Sequence, residues 1–218
     1  HGIKGENYRQ LFSLTRALNI PFQYVPLNKL NRITQKNHQG VIAFISQVSY
    51  QPVDEVISML YDSGEEPFFV VLDQVTDVRN IGAIARSAEC AGSNAIIVPE
   101  KGSAMLNAEA VKSSAGSLMN IPVCRVNRLS DTIKELKING MKVIGVTEKA
   151  SKSYRDVLYK GPLALVLGSE EKGISGAALN VCDETVAIPL FGKTASLNVS
   201  VAAGIVLFEA ANCRSKEE

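Results

Sequence analysis

Polar residues suited to binding or chemistry concentrate in three glycine-containing stretches of this 218-residue chain. The first stretch, "DQVTDVRNIGAIARSAECAG" (73–92), carries Asn80 and Arg86. An amide donates and accepts hydrogen bonds, and a guanidinium presents a planar fork of donors that fits a phosphate. The simpler interpretation is that Asp77 or Asn80 caps a helix on which Arg86 is a surface cation. The pattern permits an anion-binding site without requiring one.

Two glycines bracket the second stretch, "GSEEKG" (168–173). Glycine allows a ligand to approach the backbone closely and tolerates positive φ. The alternative is a polar turn between two elements. The spacing matches neither the G-x-G-x-x-G dinucleotide fingerprint nor a Walker A loop. That mismatch argues against a nucleotide-binding dehydrogenase and against an NTPase.

The third stretch, "PLFGKTASLNVSVAAG" (189–204), predicts a helix that begins with Ser196 as its N-cap. A helix N-terminus presents free backbone N–H groups and partial positive charge. The residues that follow leave almost no polar face: Val199, Val201, Ala202, Ala203, Ile205, Val206, Leu207 and Phe208. A helix that is apolar all round lies centrally or is covered by a partner. Burial by a second copy of the chain is therefore a natural hypothesis.

Strands and helices alternate from residue 67 onward and must position these stretches. Strands are predicted at 68–73, 94–99, 121–126, 141–147, 163–168 and 184–190, and helices at 80–92, 107–116 and 129–140. Continuous apolar strands separated by helices predict an α/β fold, a mostly parallel sheet with helices on both faces. Gly92 and Gly140 are placed as helix stops. Ligands of such sheets bind outside the carboxyl ends of the strands, and each of the three stretches follows a strand.

The amino-terminal part differs in charge from the rest of the chain. Residues 1–50 hold six Lys and Arg against the single acid Glu6, a net +5, whereas the remainder carries −4. This asymmetry indicates either an anionic partner or simply a solvated basic surface. We predict a helix over 7–18, a strand over 41–45, and a linker over 49–66 that contains a short helix, "VDEVISMLYD".

Composition excludes several other classes of protein. With 46% apolar and 21% charged residues, the chain is typical of a globular protein. The four cysteines form no C-x-x-C pair, so we expect no metal site and a reducing cytoplasmic location. No apolar run is long enough for a membrane span, and no signal-peptide pattern is present. Because the chain starts at His1, we expect it to begin partway into a natural protein.

Three motifs, "NIGAIAR", "LGSEEKGIS" and "IPLFGKTASLNVSVA", give the chain a specific resemblance over residues 67–213. The chain resembles the SpoU/TrmH-type RNA 2′-O-ribose methyltransferases of the SPOUT superfamily. The segment "NHQGVIA" (37–43) is similar to the end of the small RNA-binding domain in the bacterial 23S rRNA guanosine-2′-O-methyltransferase subgroup. That domain is normally longer at its front, so it looks incomplete here.

The resemblance implies a domain plan, a cofactor and partners. Residues 1–48 would be a partial α/β RNA-binding domain, 49–66 a linker and 67–218 the catalytic domain, with a deep trefoil knot in its C-terminal part. The cofactor would be S-adenosylmethionine (AdoMet), and the enzyme a cytoplasmic homodimer that acts on RNA without metal or membrane. The nearest alternatives are a tRNA ribose methyltransferase and a non-catalytic RNA-binding or ribosome-assembly protein on the same fold.

The resemblance also implies roles for individual residues, carried over by motif. Catalytic positions would be Asn80, Arg86, Glu170, Ser196 and Asn198, and cofactor-binding positions Thr147, Leu167, Gly168, Ile188 and Leu197. RNA contacts would come from Arg86, Lys112, Arg32 and Lys36, with Tyr8, Phe12, Phe22 and Tyr24 as stacking candidates or simple hydrophobes. The segment "KSSAG" (112–116) is either a further RNA contact or a helix C-terminus.

The family's proposed proton acceptor is the arginine, here Arg86. A guanidinium stays protonated in proteins, which makes it a poor base. Our preferred interpretation is that Arg86 grips the phosphate beside the target ribose, and that this phosphate or a water shares the proton.

Overall fold

The computed structural model describes residues 6–18, 20, 22–44 and 48–215. The chain divides into two compact units, His1–Ile45 and Ser46–Glu218. The first unit contains the helices α1 (Glu6–Ala17) and α2 (Leu27–Ile33). Helix α1 confirms the predicted helix to within one residue at each end. The predicted strand over 41–45 is wrong for residues 41–44, which pair with no strand, and Ile45 lies outside the described residues.

The four aromatic residues considered for base stacking pack on one another inside the first unit. The Phe12 ring centroid lies 6.1 Å from that of Tyr8, 5.2 Å from Phe22 and 6.5 Å from Tyr24. The Tyr8 hydroxyl donates to the Tyr24 hydroxyl at 3.0 Å. Edge-to-face and stacked pairs at these distances are favourable packing arrangements. The four rings therefore contact one another, but Phe22 and Tyr24 are 48% and 70% exposed, so these contacts do not exclude base stacking.

The second unit is built on a seven-stranded sheet in which every strand pair is parallel. Its strands are β1 (Tyr50–Gln51), β2 (Phe68–Asp73), β3 (Ala95–Pro99), β4 (Val123–Val126), β5 (Lys142–Val146), β6 (Leu163–Gly168) and β7 (Glu184–Val186). They lie in the order β1-β4-β3-β2-β6-β5-β7. The central pair β2 and β6 runs in register from Phe68 opposite Leu163 to Asp73 opposite Gly168.

Helices cover both faces of this sheet. The helices α4 (Val78–Cys90), α5 (Ala108–Ser113) and α8 (Val199–Arg214) pack on one face, and α3 (Val53–Asp62), α6 (Leu129–Ile138) and α7 (Gly176–Leu179) on the other. Alternate residues of β2 point to opposite faces of the sheet. Phe68 and Val70 lie in the first core, under α4, α5 and α8, and Phe69 and Val71 lie in the second core, under α3, α6 and α7. All four are essentially buried, which explains the continuous apolar run. The predicted α/β fold is confirmed.

The segment 49–66 is part of this unit and not a linker. Tyr50 and Gln51 extend the sheet as β1, paired with β4, and Val56, Ile57 and Leu60 of α3 are buried in the second core. The predicted helix "VDEVISMLYD" is confirmed residue for residue. Its apolar face had no visible partner in the sequence, because the strands it covers lie far along the chain.

Helix ends follow the local signals. Gly92 after α4 and Gly140 after α6 take φ of 75° and 82°, the left-handed region that favours glycine, so both predicted stops are confirmed. Segment 112–116 contains the end of α5, with Ala115 and Gly116 also at positive φ. Among the described residues, no helix has the length and apolarity required to cross a membrane.

Candidate active site

Gly168 ends β6 and makes a tight return of the chain possible. A Cβ atom at this position would lie 2.0 Å from the carbonyl carbon of Gly173 and 2.1 Å from the backbone nitrogen of Ile174. Ser169 and Gly173 form an isolated antiparallel bridge, and Gly173 has φ of 68°. No side chain fits in this space, so the loop requires glycine. The loop places Glu170 outside the carboxyl end of β6.

Glu170 is joined to two asparagines that stand far away in sequence. Its Oε1 accepts hydrogen bonds from Asn80 Nδ2 at 3.0 Å and from Asn198 Nδ2 at 2.5 Å. Asn198 Nδ2 also donates to Asn80 Oδ1 at 3.1 Å. These three predicted site residues, which we call the Asn–Glu–Asn cluster, connect α4, the loop after β6 and the start of α8. The structure brings all three sequence motifs together.

Asn198, and not Ser196, is the N-cap of α8. Its Oδ1 accepts from the backbone nitrogens of Ser200 at 3.0 Å and Val201 at 3.4 Å. Ser196 lies two residues before this N-cap, and its hydroxyl accepts no hydrogen bond from the helix among the described residues. The Glu170 carboxylate accepts a further bond from Val199 N at 3.4 Å. A negative charge at this position is favourable because the helix N-terminus carries partial positive charge.

A second cap orients the start of α4. Asp77 accepts from Arg79 N at 2.8 Å, which settles which of the two predicted caps is used. The backbone N–H of Arg79 holds the pKa of Asp77 below its ordinary value. Asn80 is thereby released from capping and directs its amide to the Asn–Glu–Asn cluster.

A pocket lies at the carboxyl edge of the sheet beside the cluster. Its walls are Val146, Thr147, Glu148, Leu167, Gly168, Ser169, Glu170, Gly173, Ile188, Leu190, Ser196, Leu197, Val199 and Ala202. All five predicted cofactor-binding positions are among them. Glu148 lies outside the three motifs, and Leu190, although inside the third, was given no role by the sequence analysis. Each follows shortly after a strand at this edge, a position from which both could have been suggested.

The pocket walls after β5 and β7 are held together by backbone bonds and ion pairs. Thr147 N donates to Val186 O at 2.9 Å. The Glu184 carboxylate accepts from Lys142 at 2.5 Å and from Lys152 at 2.6 Å. Burial would raise the pKa of Glu184, but the hydrogen bonds from the two lysines outweigh it and lower that pKa below its ordinary value. These contacts fix the segment 147–153 against β7.

Arg86 stands apart from the cluster. It is exposed on α4, six residues beyond Asn80, which is roughly 9 Å along the helix and about 120° around it. Within the described part of the chain, its guanidinium makes no hydrogen bond or ion pair and does not line the pocket. Helix α4 nonetheless packs closely on α5, since a Cβ at Gly82 would lie 1.9 Å from Ser113 Oγ.

The remaining predicted RNA-binding residues lie in different places. Lys112 is exposed in the last turn of α5, and Arg32 and Lys36 are exposed in the first unit. All four cysteines are free thiols. Over the described residues, no group of three or more His, Cys, Asp or Glu side chains is arranged to hold a metal ion.

Comparison with known proteins places the chain among RNA-modifying enzymes. A model of the SpoU rRNA Methylase family matches residues 67–208, and a model described as RNA 2′-O ribose methyltransferase substrate binding matches residues 1–51. The 23S rRNA (guanosine-2′-O-)-methyltransferase RlmB of Escherichia coli K12 is 38% identical over 218 residues, covering 98% of this chain and 89% of that protein. The putative TrmH family tRNA/rRNA methyltransferase YacO of Bacillus subtilis is 36% identical over 207 residues, covering 95% and 83%.

Solved structures agree with the sequence matches. The SpoU methyltransferase AviRb of Streptomyces viridochromogenes, in complex with AdoMet, superposes with a TM-score of 0.68 at 29% identity, covering 77% of this chain and 66% of that one. An AdoMet-bound rRNA methyltransferase of Sinorhizobium meliloti gives a TM-score of 0.67 at 31% identity, covering 75% and 61%. The family match over most of the second unit and the shared fold confirm the resemblance seen in the three motifs. The chain therefore belongs to the SpoU rRNA methylase family of SpoU/TrmH-type RNA methyltransferases.

Proposed function

We propose that this protein transfers a methyl group from AdoMet to the 2′-hydroxyl of a ribose in RNA, and that its substrate is a guanosine of 23S rRNA. The observation that carries the proposal is the pocket at the carboxyl edge of the sheet. It is lined by Thr147, Leu167, Gly168, Ile188 and Leu197, directly beside the Asn–Glu–Asn cluster. The identity to RlmB, whose name states this reaction, supports the choice of substrate.

The pocket residues fit AdoMet. Leu167, Ile188 and Leu197 offer apolar walls, and Gly168 lets the backbone of Gly173 and Ile174 fold back against the end of β6, which keeps the loop at the edge of the pocket. Glu148 and Glu170 give the wall negative charge, which suits a cofactor that carries a sulfonium and an ammonium. When bound, AdoMet supplies an electrophilic methyl group on that sulfonium.

Some residues of the chain position the site, and others contact the substrate. Glu170 Oε1 already accepts from Asn80, Asn198 and Val199 N, so we assign it the task of holding the motifs together. The Ser196 hydroxyl lines the pocket and has no hydrogen-bond partner among the described residues. It is free to bind the ribose that receives the methyl group. Correct orientation of hydroxyl and cofactor supplies much of the rate of such transfers.

Arg86 carries a permanent positive charge and is assigned to the phosphate next to the target ribose. Its position on a different side of α4 from Asn80 supports a homodimer in which Arg86 of one copy faces the pocket of the other. Val201 and Phe208 of α8, 50% and 52% exposed, offer apolar surface for that association. The deep trefoil knot remains part of the proposal. The chain passes from β6 across β5 to β7 and returns as α8 against α4, a path compatible with it.

We assign residues 1–48 to RNA binding, with Arg32 and Lys36 contacting phosphates. The match of residues 1–51 to a substrate-binding family and the net +5 of residues 1–50 support this. The 2′-hydroxyl as acceptor explains a preference for RNA over DNA. We place the reaction in the cytoplasm. A tRNA substrate is the second candidate, because the YacO name includes both tRNA and rRNA.

Transfer of a labelled methyl group to separated 23S rRNA, 16S rRNA and tRNA tests the proposal. We expect label in 23S rRNA, at a guanosine 2′-O position. Label in tRNA would move the assignment to the second candidate. If AdoMet binds and raises the melting temperature, as a ligand of the folded state must, but no RNA accepts label, a non-catalytic RNA-binding role replaces methyl transfer.

A further inference from the structure

The segment between β7 and α8 carries an aromatic side chain in an unusual position. Phe191 is 98% exposed, the highest value for any large hydrophobic side chain among the described residues. Its neighbour Leu190 lines the pocket, as do Ser196 and Leu197 further along the same segment. The Phe191 ring thus lies at the rim of the pocket without forming part of its wall.

The surroundings of Phe191 leave its ring free. The described residues form no ring pair or cation–π contact with it, and a Cβ added at Gly192 would meet no heavy atom within 4 Å. A phenylalanine gains considerable free energy when its surface leaves water. An unpartnered ring in this position therefore offers binding energy to a molecule that arrives from solution.

Charges around the rim indicate what kind of molecule that is. Lys149, Lys172 and Lys193 stand on the loops after β5, β6 and β7, all exposed. In the part of the chain that the structure describes, none of their ammonium groups forms an ion pair or a hydrogen bond. The carboxylates Glu148 and Glu170 line the pocket, while the lysines do not, and Glu171 is exposed beside Lys172. Each loop thus presents a positive charge outside the pocket.

We propose that Phe191 stacks on an unpaired RNA base beside the methylated ribose, with Lys193 on an adjacent phosphate. The inference rests on the proposed function and adds a named base contact to it. Single-stranded nucleic acid is bound by this combination of aromatic rings and nearby cations. A protein partner is a poorer match, because the residues after Phe191 are Gly192, Lys193, Thr194 and Ala195, which give no continuous apolar patch.

A single tryptophan tests the contact directly, because the chain contains none. In Phe191→Trp, we expect a short single-stranded RNA of mixed sequence to quench the indole emission, and the same RNA as a duplex to quench it less. Without RNA, neither the addition of AdoMet nor an increase in protein concentration should change the emission. Ile138→Trp, at a position that is 85% exposed at the end of α6, is the matched reporter and should not respond to RNA.

Two further variants connect stacking to function. Phe191→Ala should raise the Kd for single-stranded RNA roughly 5- to 150-fold, the range of one lost stacking contact, while the Kd for AdoMet stays unchanged. Phe191→Tyr, which keeps the ring, should restore RNA binding. If the emission of Phe191→Trp depends on the protein concentration and not on the RNA concentration, the ring contacts a second copy of the chain. That result overturns the inference. Equal RNA affinity of wild type and Phe191→Ala also overturns it.

The same measurements separate this inference from the proposed function. If wild-type protein methylates RNA but Phe191→Trp is not quenched and Phe191→Ala keeps its KM for RNA, stacking is wrong and methyl transfer stands. If no RNA is methylated yet single-stranded RNA quenches Phe191→Trp, the base contact stands and the catalytic assignment is wrong.

Discussion

Asn198 Nδ2 donates to Glu170 Oε1 at 2.5 Å, and this bond links the first turn of α8 to the loop after β6. The same asparagine caps α8 through its Oδ1. One side chain therefore holds a helix in place and completes the candidate site. The cluster explains why polar residues interrupt an otherwise apolar stretch at this point of the sequence.

Asn198→Ala should cost both stability and activity. Loss of an N-cap typically destabilises a protein by about 1 kcal/mol, and the Glu170 bond is lost with it. We expect a lower urea midpoint and strongly reduced methyl transfer. Ser196→Ala is the control: it leaves the cap intact, so the free energy of unfolding should change by less than about 0.5 kcal/mol while activity falls. Equal destabilisation by both substitutions would contradict the assignment of the cap.

Gly168→Ala should abolish cofactor binding. The added methyl group would overlap the backbone of Gly173 and Ile174, which cannot move away as a flexible side chain would. The loop that carries Glu170 must therefore shift. Calorimetry with AdoMet measures the effect. Gly176→Ala at the start of α7, where a Cβ meets nothing within 4 Å, should bind AdoMet normally. Normal binding by Gly168→Ala would show that the loop is not fixed as described.

Glu184→Gln should destabilise the protein in a manner that depends on pH. Because the pKa of Glu184 is lowered in the folded state, its contribution is fully present above the unfolded pKa of about 4.3 and disappears as pH falls through the folded pKa. We expect a loss of roughly 1 kcal/mol at pH 7 that narrows towards pH 3. Urea unfolding at both pH values checks this. Glu135→Gln, exposed on α6, should have little effect at either pH.

If Arg86 acts on the pocket of a second copy, inactive variants should complement each other. Arg86→Ala and Gly168→Ala are each expected to be inactive. Mixed dimers contain one intact pocket facing one intact Arg86, so refolding an equal mixture should restore about a quarter of wild-type activity. No recovery, with mixed dimers demonstrated by differently tagged chains, would place Arg86 in the site of its own chain.

The pH–rate profile tests the role of Arg86 in proton transfer. A guanidinium stays protonated in proteins and therefore does not act as a base. We therefore expect single-turnover methyl transfer to be flat from about pH 6 to 10. A rise with a clear midpoint in that window would identify a titrating base and contradict the phosphate-gripping scheme.

Local sequence patterns determined much of this fold. Strands β2 and β6 and helix α3 were predicted with their observed ends, and the stops at Gly92 and Gly140 were confirmed. These features depend on neighbours within one element: an apolar run, a helical spacing or a positive φ. Four of the five predicted cofactor positions, Leu167, Gly168, Ile188 and Leu197, lie in the three motifs, and all five line the pocket at the carboxyl edge of the sheet.

Contacts between residues far apart in sequence were decided only by the tertiary structure. Asn198 caps α8 because Glu170, 28 residues away, holds its amide in place, whereas the local pattern allowed Ser196 equally well. The sequence of segment 49–66 resembles a linker. In the folded chain β1 pairs with β4, and α3 packs on the sheet. Phe191 could not be recognised as exposed, because a ring's burial depends on what the rest of the chain brings to it. Hydrophobic periodicity specifies each element, but contacts between elements require the folded chain.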